Sequence, residues 1–196
     1  MIGLEKVTAG YGDKTVLHDV TLALAETGIT ALTGPSGEGK TTILRLLAGL
    51  ERPWSGRVYA AKVPAVLFQE NRLFPHRTVE QHLRDVLPAD RWEEVTGWLE
   101  LAGLTGEEKT LPAALSGGMA RRLALVRAMA LGGDCLLLDE PFTGIDPERK
   151  AVLLKRIQEW PVPVLLITHH AEETAGAKKF ISLSKKSYQN NYKESH

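Results

Sequence analysis

The sequence predicts an α/β fold with a mainly parallel core sheet, and three observations carry that reading. Strand-like and helix-like segments alternate along the chain. Several of the strand segments are continuous apolar runs, such as "CLLLDE" at 135–140, which suits strands covered on both faces. A glycine-rich turn, "GPSGEGKT" at 34–41, stands between one such strand and a helical pattern.

Taken in order, residues 2–8 and 15–24 read as strands around a Gly12-Asp13 turn, an N-terminal antiparallel pair. "ITALTG" at 29–34 is a short buried strand ending in glycine, and 40–50 has helical periodicity. Pro53 and Gly56 punctuate the chain before strands at 57–62 and 65–69. Thr78 is the expected N-cap of a helix over 79–87, which Pro88 ends. Residues 89–104 read as a second amphipathic helix, with Trp92 and Trp98 as packing residues. After Pro112 comes "LSGGMARRLALVRAM" at 115–129, a helix opened by a serine and two glycines. The strand at 135–140 follows, then a helix from Asp146-Pro147 to Trp160, a buried strand at 162–169 and a last strand at 179–184. The tail from Lys185 onward is polar and expected to fray.

Composition narrows the function classes. With 196 residues and 43% hydrophobic content, the chain can bury one sizeable core. Lys and Arg number 24, as do Asp and Glu, so the basic excess of a phosphate-binding nucleic-acid partner is absent. The single cysteine, Cys135, begins a buried strand and reads as a small core residue; it excludes an internal disulfide and suits a reducing compartment. The first ten residues contain Glu5 and no long apolar stretch, and no run approaches the roughly 20 apolar residues of a membrane span. A soluble, cytoplasmic protein is expected. His18, His76, His82 and His196 have no metal-ligand spacing, so no zinc site is read.

"GPSGEGKT" matches the phosphate-loop pattern G-x-x-x-x-G-K-[ST] in full, in the required strand-to-helix context. Gly34, Pro35, Ser36, Gly37, Glu38 and Gly39 would wrap backbone N–H groups round the phosphates of ATP, with Thr42 continuing the loop into the helix. Lys40 would reach the β- and γ-phosphates, and the Thr41 hydroxyl would hold Mg²⁺. Glu38 is expected to point outward, since a carboxylate facing a triphosphate is repelled. "LLLDEP" places Asp139 and Glu140 at the carboxyl end of a strand, where open α/β sheets bind ligands. Adjacent strand residues face opposite ways, so a local distortion must bring both acids into one site. Asp139 is the candidate Mg²⁺-side acid and Glu140 the candidate water-orienting base.

With these pieces in hand, the chain resembles the ATP-binding cassette (ABC) ATPases over nearly its whole length. Tyr11 in "YGDKTVL" matches the aromatic that stacks on adenine, and "GPSGEGKTT" the Walker A motif. Gln69 in "LFQENRLFP" matches the Q-loop, "LSGGM" the signature usually written LSGGQ, and "CLLLDEP" the Walker B motif with its catalytic glutamate. Asp146 in "TGID" matches the D-loop, and His169 in "ITHH" the switch histidine. Taken alone, Tyr11 reads as a turn-packing aromatic, Gln69 as a polar strand end, His169 as a core histidine and His170 as a surface residue. The resemblance implies a P-loop NTPase (RecA-like) fold with an N-terminal antiparallel β subdomain and an inserted α-helical subdomain. The core would comprise about 1–69 and 116–184, the helical lobe about 70–115 and the tail 185–196.

In that family two ATPase domains pair head to tail with ATP between the Walker A of one and the signature of the other. Ser116, Gly117, Gly118 and Met119 would then act in trans, Asp146 would lie at the dimer interface, and Glu140, His169 and Gln69 would serve catalysis, with Gln69 also near Mg²⁺. The resemblance further implies a second ATPase subunit (the same or a related chain), a polytopic membrane permease received by the helical lobe near Asn71, Leu73, Phe74 and Pro75, and in an importer a substrate-binding protein. The location would be cytoplasmic, peripheral on the inner face of the cell membrane. "FQENRLFPHRTVEQHL" looks most like importer ATPases of the nitrate, sulfonate and taurine type. The chain departs from them in a shortened strand region between Gly56 and Gln69 and in ending without a regulatory domain. Two other classes are weighed. A soluble ABC ATPase acting on DNA or ribosomes usually has coiled-coil insertions, zinc modules or tandem cassettes, and none is seen; a P-loop kinase or GTPase lacks the signature, Gln69 and His169.

Overall fold

The computed structural model describes residues 1–183; the expected tail from Lys185, and Ser184 at the end of the last expected strand, lie outside the described residues. Strands β1 (Gly3–Tyr11) and β2 (Lys14–Ala23) form a hairpin whose Tyr11 and Lys14 pair across the Gly12-Asp13 turn. Strand β3 (Gly28–Thr33) leads through the glycine-rich turn into α1 (Lys40–Leu47). Strand β4 (Ser55–Tyr59) joins the hairpin, giving an antiparallel sheet of order β2-β1-β4. Strands β5 (Pro64–Leu67), β6 (Cys135–Asp139), β7 (Pro163–Ile167) and β8 (Lys179–Ser182) complete a parallel sheet of order β5-β6-β7-β3-β8. Its register sets Leu67 beside Leu138, Leu138 beside Leu166 and Leu166 beside Ala31.

The apolar runs are covered on both faces. Leu136 and Leu138 pack into one cluster with Ile29, Ala31, Val164 and Leu166. Cys135 and Leu137 pack into the other with Leu32, Leu165 and Ile167. The first cluster is roofed by α2 (Val79–Arg84), α3 (Val95–Ala102), α4 (Gly117–Leu131) and α5 (Pro147–Gln158); the second by α1 and the antiparallel sheet. Each fully buried leucine here contributes roughly 1.5–3 kcal/mol. Leu123, Ala124, Leu125 and Val126 are all fully buried, so α4 is enclosed on every side.

Thr78 caps α2 as expected, and Gln81 completes a capping box by accepting from the Thr78 N–H at 2.9 Å. The single helix expected over 89–104 is instead a 3-10 segment, Ala89–Glu94, followed by α3. Trp92 lies in the 3-10 segment. It is 44% exposed rather than a core residue, with its indole N–H on Leu87 O at 3.3 Å and Arg84 over its ring. Trp98 does pack on the core, beside Trp160. α3 ends at Gly103 in the left-handed conformation.

Candidate functional site

Four neighbouring parallel strands release one chemistry-bearing segment each at their carboxyl ends. β5 leads to Gln69, β6 to Asp139 and Glu140, β7 to His169, and β3 to the glycine-rich turn. The result is a cleft of about 320 Å³ lined by Ser36, Gly37, Gly39, Lys40, Thr41 and Thr42 from the turn and α1, by Gln69, Asp139, Glu140 and His169, and by Tyr11 and Val16 from the antiparallel sheet.

The turn is shaped by Gly39, which has φ 92 and caps α1; a Cβ there would stand 2.5 Å from Leu17 of β2. Lys40 is buried and folds back on the turn, donating to Gly34 O at 2.7 Å and Pro35 O at 2.8 Å. Burial lowers its pKa, against the pull of Glu140, Asp139 and Glu38. Glu38 corrects the expectation of an outward carboxylate. It is only 8% exposed and does not line the cleft, while Gly37 and Gly39 on either side do. Left-handed glycines flank the buried position 38, and the Glu38 charge helps to hold up the Lys40 pKa against burial. Tyr11 stands at the other end of the cleft, 45% exposed, with its hydroxyl 3.4 Å from Thr42 Oγ1.

Thr41 Oγ1 donates to Asp139 Oδ2 at 2.8 Å. Asp139 is buried, and that burial raises its pKa, with Thr41, Arg121 and Lys40 opposing. Glu140 adopts φ 48, the distortion that lets it share the cleft with Asp139 although the two are adjacent in sequence. Its Oε1 lies 3.0 Å from His169 Nε2, and its N–H donates to Ile167 O at 2.9 Å. His169 is therefore an exposed cleft residue rather than a core histidine; the core position goes to Thr168, which donates to Glu173 at 2.5 Å.

The second predicted group stands apart from this cleft. Ser116 caps α4 by accepting from Met119 N at 3.2 Å, and Ser116 and Gly117 are exposed. Gly118 is held within its own chain: a Cβ there would lie 2.5 Å from Gly144 O, while Gly117 has open space. Met119 packs against the core, so its side chain has an apolar role. Asp146 caps α5 by accepting from Arg149 N at 2.8 Å, a bond that lowers its pKa. Thus Ser116, Gly117, Gly118, Met119 and Asp146 do not line the cleft that holds the phosphate turn.

Sequence reasoning missed Arg121. It is 3% exposed and donates to Phe68 O, Gln69 O, Asn71 Oδ1, Asp139 O and Glu140 O. The available signal was its place on α4, one and two turns before the apolar Leu125 and Ala128, where a charge is out of keeping with the face.

A parallel sheet with its glycine-rich turn, Lys40, Thr41 and Asp139 gathered at the strand ends defines a P-loop NTPase. The sequence matches the ABC transporter family over residues 17–143. It is 39% identical over 194 residues to the thiamine import ATP-binding protein ThiQ of Mesorhizobium japonicum, covering 88% of this chain and 76% of that one. It is 42% identical over 176 residues to the aliphatic sulfonates import ATP-binding protein SsuB 2 of Pseudomonas syringae pv. tomato, covering 86% and 74%. Among solved structures, the dimeric MJ0796, a bacterial ABC transporter cassette, superposes with TM-score 0.82 at 26% identity, covering 93% of this chain and 94% of that one. The same cassette in a post-hydrolysis dimer bound to ADP and Pi gives TM-score 0.80 at 25% identity. The chain belongs to the ABC transporter family and is an ATP-binding ATPase subunit of that family. Among the described residues, no helix is long and apolar enough to cross a membrane.

Proposed function

We propose that this chain is the energising subunit of an ABC importer, hydrolysing Mg-ATP in a head-to-tail dimer on the cytoplasmic face of the membrane. The observation that carries the reading is the 3.0 Å pairing of Glu140 with His169 at the mouth of the phosphate turn. Glu140 orients a water and takes its proton as the water oxygen attacks the γ-phosphorus; the bond to the bridging oxygen breaks, leaving ADP and phosphate. His169 holds the Glu140 carboxylate in place, Lys40 leaves its two carbonyls to meet the β- and γ-phosphates, and Tyr11 stacks on the adenine. The Gln69 amide completes the water site. Thr41, Asp139 and Gln69 offer only oxygen donors, and the 2.8 Å approach of the first two fits them to hold one hard cation. Mg²⁺ there would neutralise charge on the phosphates.

Ser116 and Gly117, exposed at the start of α4, serve the γ-phosphate held by a second ATPase subunit, with Asp146 beside them. The segment 70–115 forms the lobe that receives a polytopic permease, and a substrate-binding protein would deliver the cargo. The import role follows the relatives named for thiamine and for aliphatic sulfonates. That two relatives of similar identity to this chain are named for different cargoes supports a reading in which the permease chooses the cargo. The test is co-purification with the permease, with ATPase assayed with Mg²⁺, with EDTA, and in Glu140→Gln. The reading expects cargo-stimulated, Mg-dependent turnover that falls about 10²–10⁴-fold in the variant. Near-normal hydrolysis by Glu140→Gln would overturn the assignment of the base.

A further inference from the structure

Arg121 is the most heavily engaged side chain among the described residues, and its acceptors form a pattern. One terminal nitrogen, Nη1, donates to Phe68 O at 2.7 Å and Gln69 O at 3.0 Å, the carbonyls on either side of the Gln69 Cα, and to Asn71 Oδ1 at 3.2 Å. The other, Nη2, donates to Asp139 O, and to Glu140 O at 2.8 Å, the carbonyls on either side of the Glu140 Cα. Fixing both flanking peptide planes fixes a residue's φ and ψ, hence where its side chain can reach. Glu140 needs this, because its φ of 48 lies where a residue with a Cβ is strained.

The choice of residue is specific. A buried cation is costly unless its donors are met, and the Arg121 Nε remains buried without a hydrogen-bond partner. Only a planar fork spans the ends of two strands at once. On the same helix Arg127 adds a second hold on the Gln69 segment, through Asn71 O at 3.1 Å and Arg72 O at 3.0 Å. Arg121 is absent from the cleft lining, so it touches neither the phosphate turn nor its ligand space.

We propose that Arg121 is the positioning residue that holds Gln69 and Glu140 in one frame and ties that frame to the helix beginning at Ser116, so that its loss lowers turnover while nucleotide binding stays intact. The inference rests on Glu140 as the catalytic base. The experiment uses the full chain with Arg121→Met and Arg121→Lys, each alone and combined with Glu140→Gln. Steady-state kcat and KM are measured together with MgATP binding by calorimetry. An ångström-scale misplacement costs about 10²-fold, so kcat should fall at least about tenfold with affinity changed less than about threefold. Arg121→Lys keeps a buried cation but radiates its donors from one point, so it should restore the melting temperature without restoring kcat. With Glu140→Gln already present, losing Arg121 should cost less than it does in the parent chain, since its hold on Glu140 no longer matters while its hold on Gln69 still does. The proposal is overturned if either single variant keeps kcat within about threefold, if affinity falls in step with kcat, or if the losses add. Turnover retained by Glu140→Gln alone would overturn the underlying reading of Glu140 instead.

Discussion

Individual side chains in this protein hold charge and proton states that the surroundings dictate. Lys40 rests on the Gly34 and Pro35 carbonyls, an arrangement phosphate oxygens can displace because a charged acceptor binds an ammonium more strongly than a neutral one. His82 is a sharper case. It is 1% exposed, its Nε2 accepts from Phe74 N at 2.9 Å, and its Nδ1 lies 2.8 Å from Thr78 O. Accepting at Nε2 fixes the neutral ring with its proton on Nδ1. Burial lowers the His82 pKa, with Arg127 and Arg77 adding to the effect and Thr78 O and Asp85 opposing it. The folded value therefore lies below the unfolded one near 6.5, and the unfolded chain binds the extra proton first. Stability is full above about pH 6.5 and is lost as pH falls below it, until the folded value is reached. Thermal melts between about pH 7.5 and 5.5 should show this loss, and His82→Gln should flatten it. An unchanged slope in the variant would remove His82 as its source.

At the scale of elements, α4 joins two tasks through two adjacent glycines. Gly118 meets Gly144 O within its own chain, whereas Gly117 faces open space. Gly118→Ala should cost roughly 1–3 kcal/mol, seen as a lower melting temperature, because the backbone it would strike cannot give way easily. Gly117→Ala should leave the melting temperature unchanged or slightly raised, since alanine favours a helix over glycine by about 1 kcal/mol. If Gly117 meets a partner's phosphate, that same variant should still lose ATPase activity; full activity in Gly117→Ala would remove the trans role. The contrast also shows what the sequence made legible. The phosphate turn was readable because its function lies in eight consecutive residues whose backbone chemistry is local. The mainly parallel core sheet was readable from apolar runs that need cover on both faces, whereas the order of its strands was not. The role of Arg121 was not readable, although its charge on an apolar helix face marked the residue, since its acceptors lie 18 to 53 residues away and only packing brings them together. The burial of Glu38 and the exposure of Trp92 were hidden likewise, since neither follows from hydrophobic periodicity.

For the whole molecule, the decisive fact is that the cleft and the α4 N-terminus are separate surfaces of one chain. The cleft holds the turn, Asp139, Glu140 and His169, while Ser116 and Gly117 are exposed elsewhere. A second chain placed head to tail would bring the missing half to each cleft, and symmetry would then make two equal sites. ATP can drive such pairing only by binding the closed pair better than the single chain, and contacts to the γ-phosphate from both subunits would supply that difference. Hydrolysis removes it, so a variant that binds but does not hydrolyse should accumulate as a dimer. Glu140→Gln mixed with MgATP should therefore elute at twice the monomer mass by light scattering, and revert when ATP is replaced by ADP. Adding Lys40→Ala to that variant should abolish the dimer by removing the phosphate-binding cation, although the surfaces that meet are untouched. Adding Gly117→Ala should weaken it, with no change in the nucleotide affinity of the single chain. A dimer that forms equally with ADP would show that pairing is not read from the γ-phosphate. A Glu140→Gln chain that stays monomeric at saturating ATP would remove the composite site altogether.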